Sequence, residues 1–118
     1  MTAPTALPVP PRGRLDGSVD EERLWEALSA VEDPELPVSV VDLGLVRELD
    51  VRDGQVRIGL TYTSLACPCV EIIRDDVRDA LAALPGVTAV TVDDVLEPWS
   101  RDDLTPAAVE ALRVVAIL

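Results

Sequence analysis

The stretch TSLACPCVE, residues 63–71, holds both cysteines of the chain, Cys67 and Cys69, on either side of Pro68. Alternating residues lead into it (Ile58, Leu60, Tyr62), and residues with helical spacing lead out (Val70, Ile73, Val77, Leu81, Leu84). The pattern predicts a strand-to-helix turn with Cys67 at the N-cap, Pro68 at the first helical position and Cys69 one further. Unpaired backbone N–H groups and the positive end of the helix dipole favour thiolates there. A thiolate is a nucleophile and a ligand for soft metals. The plainer alternative is that small buried cysteines fill core space. Two of them at one helix start, in a chain with no other Cys, favour chemistry.

Two thiols cannot complete the four-ligand shell of a structural zinc or an iron–sulfur cluster, and the chain has no His to supply the rest. Two copies in a symmetric dimer offer four thiolates, enough for a bridging cluster. A single copy offers an open site that releases its metal. In either case the chemistry is that of a carrier. A thiol–disulfide oxidoreductase using Cys67-Pro68-Cys69 is the enzymatic alternative, supported by thiolate activation at a helix start. Against it, a one-residue spacing makes a difficult bridge, and the usual redox motif has two residues between its cysteines. A third alternative is a metal-free interaction module working through an acidic surface. Hydrolase or transferase chemistry has little support, since there is neither a His nor a glycine-rich phosphate loop.

Asp33, Glu35 and Asp42 are acidic residues set among Leu36, Val40, Val41 and Leu43. Capping or an Asx-turn accounts for Asp42, just before Leu43-Gly44, as readily as a binding role does. Asp75, Asp76 and Asp79 alternate with Arg74 and Arg78 and read as a solvated helix face.

The elements that must position these residues are legible. SVDEERLWEALSAVED opens with Ser18 and Glu21 spaced as a capping box, and Leu24, Leu28 and Val31 predict a helix over 19–32. Pro34 and Pro37 end it, and DPELPVS is expected to be an extended loop. In the next stretch Leu45, Arg47, Leu49 and Val51 point one way, and Val46, Glu48 and Asp50 the other. Val56, Ile58, Leu60 and Tyr62 form the inner face of a second arm, with Asp53-Gly54 as the hairpin turn. A helix from Cys69 to about Leu84 stops at Pro85-Gly86, a strand covers 87–95, and Thr105-Pro106 opens a short last helix. The order helix–hairpin–helix–strand–helix predicts a two-layer α/β (α+β) sandwich, with helices on one face of a three-stranded sheet. Residues 1–17, with four prolines, read as a flexible tail, and 18–118 as a single domain.

Composition bounds the partners. A net charge of −12 argues against nucleic acid and anionic membrane surfaces as natural ligands. No apolar run approaches the length of a spanning helix, and the proline-broken N-terminus has no signal-peptide core, so a cytoplasmic protein with reduced thiols is expected. The core must be aliphatic, because there is no Phe and the aromatic residues are Trp25, Tyr62 and Trp99.

With these elements placed, the chain resembles the PaaD/SufT-like metal–sulfur cluster assembly family. The resemblance covers about residues 19–113 and rests on VEDPELPVSVVDLGLVRELDV, IGLTYTSLACP, ALAALPGVTAVTV and EPWSRDDLT, taken in order and spacing. It implies a non-catalytic adaptor or carrier in iron–sulfur protein maturation. Such a protein holds iron or a cluster transiently and works with scaffold or client proteins. The family's reactive cysteine falls on Cys67, with Thr63 at the start of its motif. The acidic loop motif falls on Asp33, Pro34 and Glu35, and the Asp-Leu-Gly turn on Asp42, Leu43 and Gly44. A homodimer follows from ligand counting together with the resemblance. Three departures are visible. Leu65-Ala66 stand where many relatives have Pro-Gly, Cys69 is additional, and the cysteine-bearing C-terminal extension of the phenylacetate branch is not present in this sequence. A short stand-alone member is therefore expected, with no assignment to phenylacetate catabolism.

Overall fold

The computed structural model describes residues 11–34, 38–63 and 69–114, with only the backbone of Cys69, Arg101 and Val114. In chain order the elements are α1 (Glu21–Ser29), β1 (Val46–Arg52), β2 (Gln55–Leu60), α2 (Cys69–Ala82), β3 (Ala89–Asp94) and α3 (Pro106–Val114). A 3-10 turn at Arg101–Asp103 precedes the last helix. The sheet order is β1-β2-β3. β1 and β2 form an antiparallel hairpin, with Arg52 opposite Gln55. Its turn needs positive φ at both central residues, and Asp53 (φ 50) and Gly54 (φ 77) supply it. β3 returns parallel to β2, with Gln55 opposite Ala89 and Leu60 opposite Asp94. A parallel return requires a crossover, and α2 is that crossover.

Register puts Leu49, Ile58, Val51, Val56 and Val92 on the sheet's inner face. Leu24, Trp25 and Leu28 of α1, Ile73, Val77 and Leu81 of α2, and Ala108 and Leu112 of α3 share that core. Each large aliphatic residue so buried contributes roughly 1.5–3 kcal/mol, which is how a core without Phe suffices. Asp50, Arg57 and Thr91, side by side across the strands, are exposed on the outer face. The helix–hairpin–helix–strand–helix sandwich is therefore present as expected.

Four local expectations differ. Asp20, not Ser18, caps α1: its carboxylate accepts the Glu22 N–H at 2.9 Å. Ser18 is drawn elsewhere, donating to Asp16 at 2.6 Å and accepting from the Gly54 N–H at 2.9 Å. The helix also stops at Ser29 rather than residue 32. The Val31 carbonyl accepts the Val40 N–H at 2.8 Å, and the Asp33 N–H donates to the Val38 carbonyl at 3.1 Å. Glu32 is bridged to Ser39, so the described ends of the expected loop pair with each other, while residues 35–37 lie outside the described residues.

Strict alternation in β1 fails at Val46, which was expected on the outer face and is buried. The register shifts between Val46 and Glu48, and both Val46 and Arg47 are buried. Such an irregularity re-aims one side chain. Here the guanidinium meets Asp103 at 2.6 Å.

Finally, the segment read as tail is laid along the outer edge of β1 over residues 12–16. Arg12 and Leu15 bridge Glu48 and Val51 in parallel register. Asp16 ties its end to the hairpin, accepting from Ser18 and from the Asp53 N–H, which holds its carboxyl at about 2, below the usual range. Residues 1–10 lie outside the described residues.

Candidate functional site

β2 and β3 run parallel and end together, at Leu60 and Asp94. In parallel α/β arrangements, the crevice beyond the strands' carboxyl ends is where ligands bind. The chain leaves β2 at this end, passes through Thr61, Tyr62 and Thr63, and re-enters the described structure at Cys69, the first residue of α2. Cys67, expected at the N-cap, Pro68 and the Cys69 side chain lie outside the described residues, as does Glu35.

Two of the expected residues are brought together. Asp33 is 6% exposed, and the Thr63 hydroxyl donates to its carboxylate at 3.2 Å. A buried carboxylate from the loop after α1 thus joins the last described residue before the cysteine segment. Asp33 and Thr63, 30 residues apart in sequence, are in contact at this point.

Asp42 has a different employment. Its carboxylate accepts from the Thr105 hydroxyl at 2.9 Å and from Ser39 at 3.4 Å, while its carbonyl accepts the Thr105 N–H at 2.9 Å. Thr105 in turn caps α3 by accepting the Ala108 N–H at 3.2 Å. Asp42 is thus one step removed from the cap, holding the residue that caps α3. Trp99 adds a second clasp, its indole N–H donating to the Leu43 carbonyl at 2.5 Å. EPWSRDDLT is therefore the segment that fastens the start of α3 onto the Asp42-Leu43-Gly44 turn.

Sequence reading missed a cluster at the same end of the sheet. The Tyr62 hydroxyl donates to Asp94 at 2.8 Å, joining the exit of β2 to the end of β3. Arg74 of α2 lies 3.7 Å from the same carboxylate. Burial, and then the hydrogen bond to Asp94, push the Tyr62 phenol above its ordinary pKa of 10.0. The folded protein holds this proton more tightly than the unfolded chain. The associated stability is complete below pH 10 and is lost as pH rises past it. Tyr62 is the single tyrosine of the chain, so ultraviolet titration reads it cleanly. At pH 10 the native protein is expected to show little phenolate signal, and unfolding at that pH should release it. Tyr62→Phe should remove the pH dependence and cost about 1 kcal/mol. The one available signal was Tyr62 as a lone polar-tipped residue on an otherwise aliphatic strand face.

Among the described residues, no group of three or more His, Cys, Asp or Glu is placed to hold a metal ion. Among them, too, no helix is long and apolar enough to cross a membrane.

The fold defines a small α+β domain whose cysteine motif lies in sequence between β2 and α2 of a β–α–β crossover. Residues 21–92 match the family described as iron–sulfur cluster assembly protein, and the chain belongs to that family. It is 44% identical over 96 residues to the Fe-S protein maturation auxiliary factor YitW of Bacillus subtilis, covering 80% of this chain and 94% of that one. It is 38% identical over 84 residues to the Fe-S protein maturation auxiliary factor SufT of Staphylococcus aureus, covering 70% and 96%. Among solved structures, a domain of unknown function (DUF59) from Bacillus anthracis superposes with a TM-score of 0.74. That match has 36% identity and covers 80% of this chain and 92% of the other. The family expected from the motifs is thus the family found.

Proposed function

We propose that this protein is a maturation factor for iron–sulfur proteins, holding iron or a cluster transiently and passing it to a partner protein. Cys67 is the principal ligand and Cys69 the second, while Asp33 and Thr63 brace the segment that carries them. Glu35, the other acidic residue of that loop motif, is a further binding residue. Asp42 supports it from behind, through the turn on which α3 is fastened. The protein performs no catalytic turnover of its own. It works in the cytoplasm, where thiols remain reduced. Its partners are scaffold and client iron–sulfur proteins.

The single observation that carries this reading is the Asp33–Thr63 contact at 3.2 Å. It joins two motifs 30 residues apart at the entrance to the cysteine segment, on the end of the sheet where ligands of parallel strands bind. The start of α2 at Cys69 adds the positive end of a helix dipole, which favours thiolates over thiols. The names of the Bacillus and Staphylococcus relatives agree with a maturation role.

Two thiolates per chain leave a cluster half-ligated, so the loaded form is a homodimer bridging one cluster. Anaerobic reconstitution with iron and sulfide, read by Mössbauer and absorption spectra, tests this. About half a cluster per chain, with a doubling of mass on loading, is the expected result. A folded protein that takes up neither iron nor cluster would overturn the carrier reading in favour of a metal-free adaptor.

A further inference from the structure

The outer edge of β1 is occupied by a segment with specific demands. The Arg12 N–H donates to the Arg47 carbonyl at 2.9 Å, and the Arg12 carbonyl accepts the Leu49 N–H at 2.7 Å. The Arg14 carbonyl accepts the Val51 N–H at 2.8 Å, and the Asp16 N–H donates to the Val51 carbonyl at 3.2 Å. These are the edge bonds by which a sheet recruits one more strand. The side chains add selectivity. Arg12 reaches Glu97 and, at 3.3 Å, Glu48. Gly13 has φ +121, and a Cβ there would overlap the Leu49 carbonyl oxygen. Leu15 packs against the core. The edge thus accepts a cation, then glycine, then an aliphatic residue two positions further on.

We propose that this edge is a docking site for an extended segment of a partner protein with that basic–glycine–x–aliphatic pattern, and that residues 12–16 occupy it in cis until displaced. Charge complementarity favours such a partner, because Glu48 and Glu97 flank the edge on a chain of net charge −12. Asp16 and Leu15 anchor one end of the cis segment, and a competitor enters at the other, Arg12 end. Arg12 is 53% exposed, so its ion pairs are solvent-screened. In cis the segment competes at the high effective concentration of a short tether, which keeps the edge closed against weak occupants. This inference stands on β1 alone and does not depend on thiol ligation.

The test uses the full chain carrying Gly13→Val, which cannot seat its own segment, and a fluorescein-labelled peptide with the sequence of residues 11–17. The peptide should bind this variant at least about tenfold more tightly than wild type by fluorescence anisotropy. A peptide with valine in place of its glycine should not bind. Hydrogen exchange at the Leu49 and Val51 amides should quicken in the variant and slow again with peptide. If Gly13→Val does not fold, Arg12→Glu opens the edge by repulsion from Glu48 and Glu97 and is read in the same way. Amides that exchange freely while the peptide binds no better than to wild type would overturn the proposal. So would amides that stay protected in the variant. A metal-free wild-type dimer dissolved by the peptide would assign the edge to a second copy and overturn the partner reading.

Discussion

Replacing Cys67 by Ser is expected to lower iron and sulfide uptake to less than about a tenth of wild type, with the fold preserved. A serine hydroxyl stays protonated at neutral pH and is a poor ligand for iron in a cluster, whereas a thiolate is a soft, strong one. In the dimer we propose, the substitution removes two of four ligands at once, so the expected loss is steep rather than proportional. Cys69→Ser removes the other two, and its effect measures whether the additional cysteine is a ligand or a bystander. Unfolding midpoints should move little for either variant if each thiol serves metal rather than packing. The readings are iron per chain, the Mössbauer spectrum and the unfolding midpoint, taken together. Normal cluster occupancy in Cys67→Ser would end the thiol-ligand role. A wild-type pair that oxidises reversibly and takes no iron would point instead to the oxidoreductase.

Asp103→Ala is expected to be the most destabilising of the simple polar substitutions, costing about 3 kcal/mol. Arg47 is 5% exposed and lies 2.6 Å from Asp103, with Glu97 a more distant partner at 3.8 Å. Its Nε has no hydrogen-bond partner among the described residues, so the guanidinium depends heavily on Asp103. Asp103 also accepts the Ser100 N–H at 3.0 Å, so its loss frees the turn before α3 as well. A charge left buried without its counter-ion is costly, while removing both charges together can be nearly neutral. The double variant Arg47→Leu, Asp103→Leu should therefore be more stable than Asp103→Ala alone. Urea unfolding midpoints of the three proteins decide it. A double variant no more stable than the single one would show that the pair contributes through geometry that apolar residues cannot replace.

Most of the architecture was legible because it is written in local pattern. The Leu24–Leu28 stripe, the Asp53-Gly54 turn, the Ile73–Val77–Leu81 stripe and the Thr105-Pro106 start each encode one element within a few residues. What escaped were choices made between distant segments. Ser18 and Asp20 are equally good caps by type, and the decision came from Asp16 and Gly54. Arg12-Gly13-Arg14 looks like linker until β1 offers it an edge. Arg47 sat openly on the apolar face of its strand alternation, between Leu45 and Leu49. That misplaced charge was the signal for a buried partner, though nothing local named Asp103. For the candidate site, the family motifs pointed to Asp33 and Thr63 together, and the structure joins them. The Tyr62–Asp94–Arg74 cluster depends on where β3 ends relative to β2, which no single stretch encodes.

The mixed sheet has a consequence for how the protein is made. The β1–β2 hairpin closes over a two-residue turn and can form on the microsecond scale once both strands exist. β3 adds to β2 only after the whole of α2 has been synthesised, since Leu60 finds Asp94 across that crossover. Non-local, parallel pairing of this kind is the slow part of a folding reaction. A nascent chain paused before residue 89 holds the hairpin without β3, and the Tyr62 hydroxyl has no Asp94 to meet. The joined carboxyl ends of β2 and β3 therefore come late in biosynthesis, after the cysteines themselves have emerged.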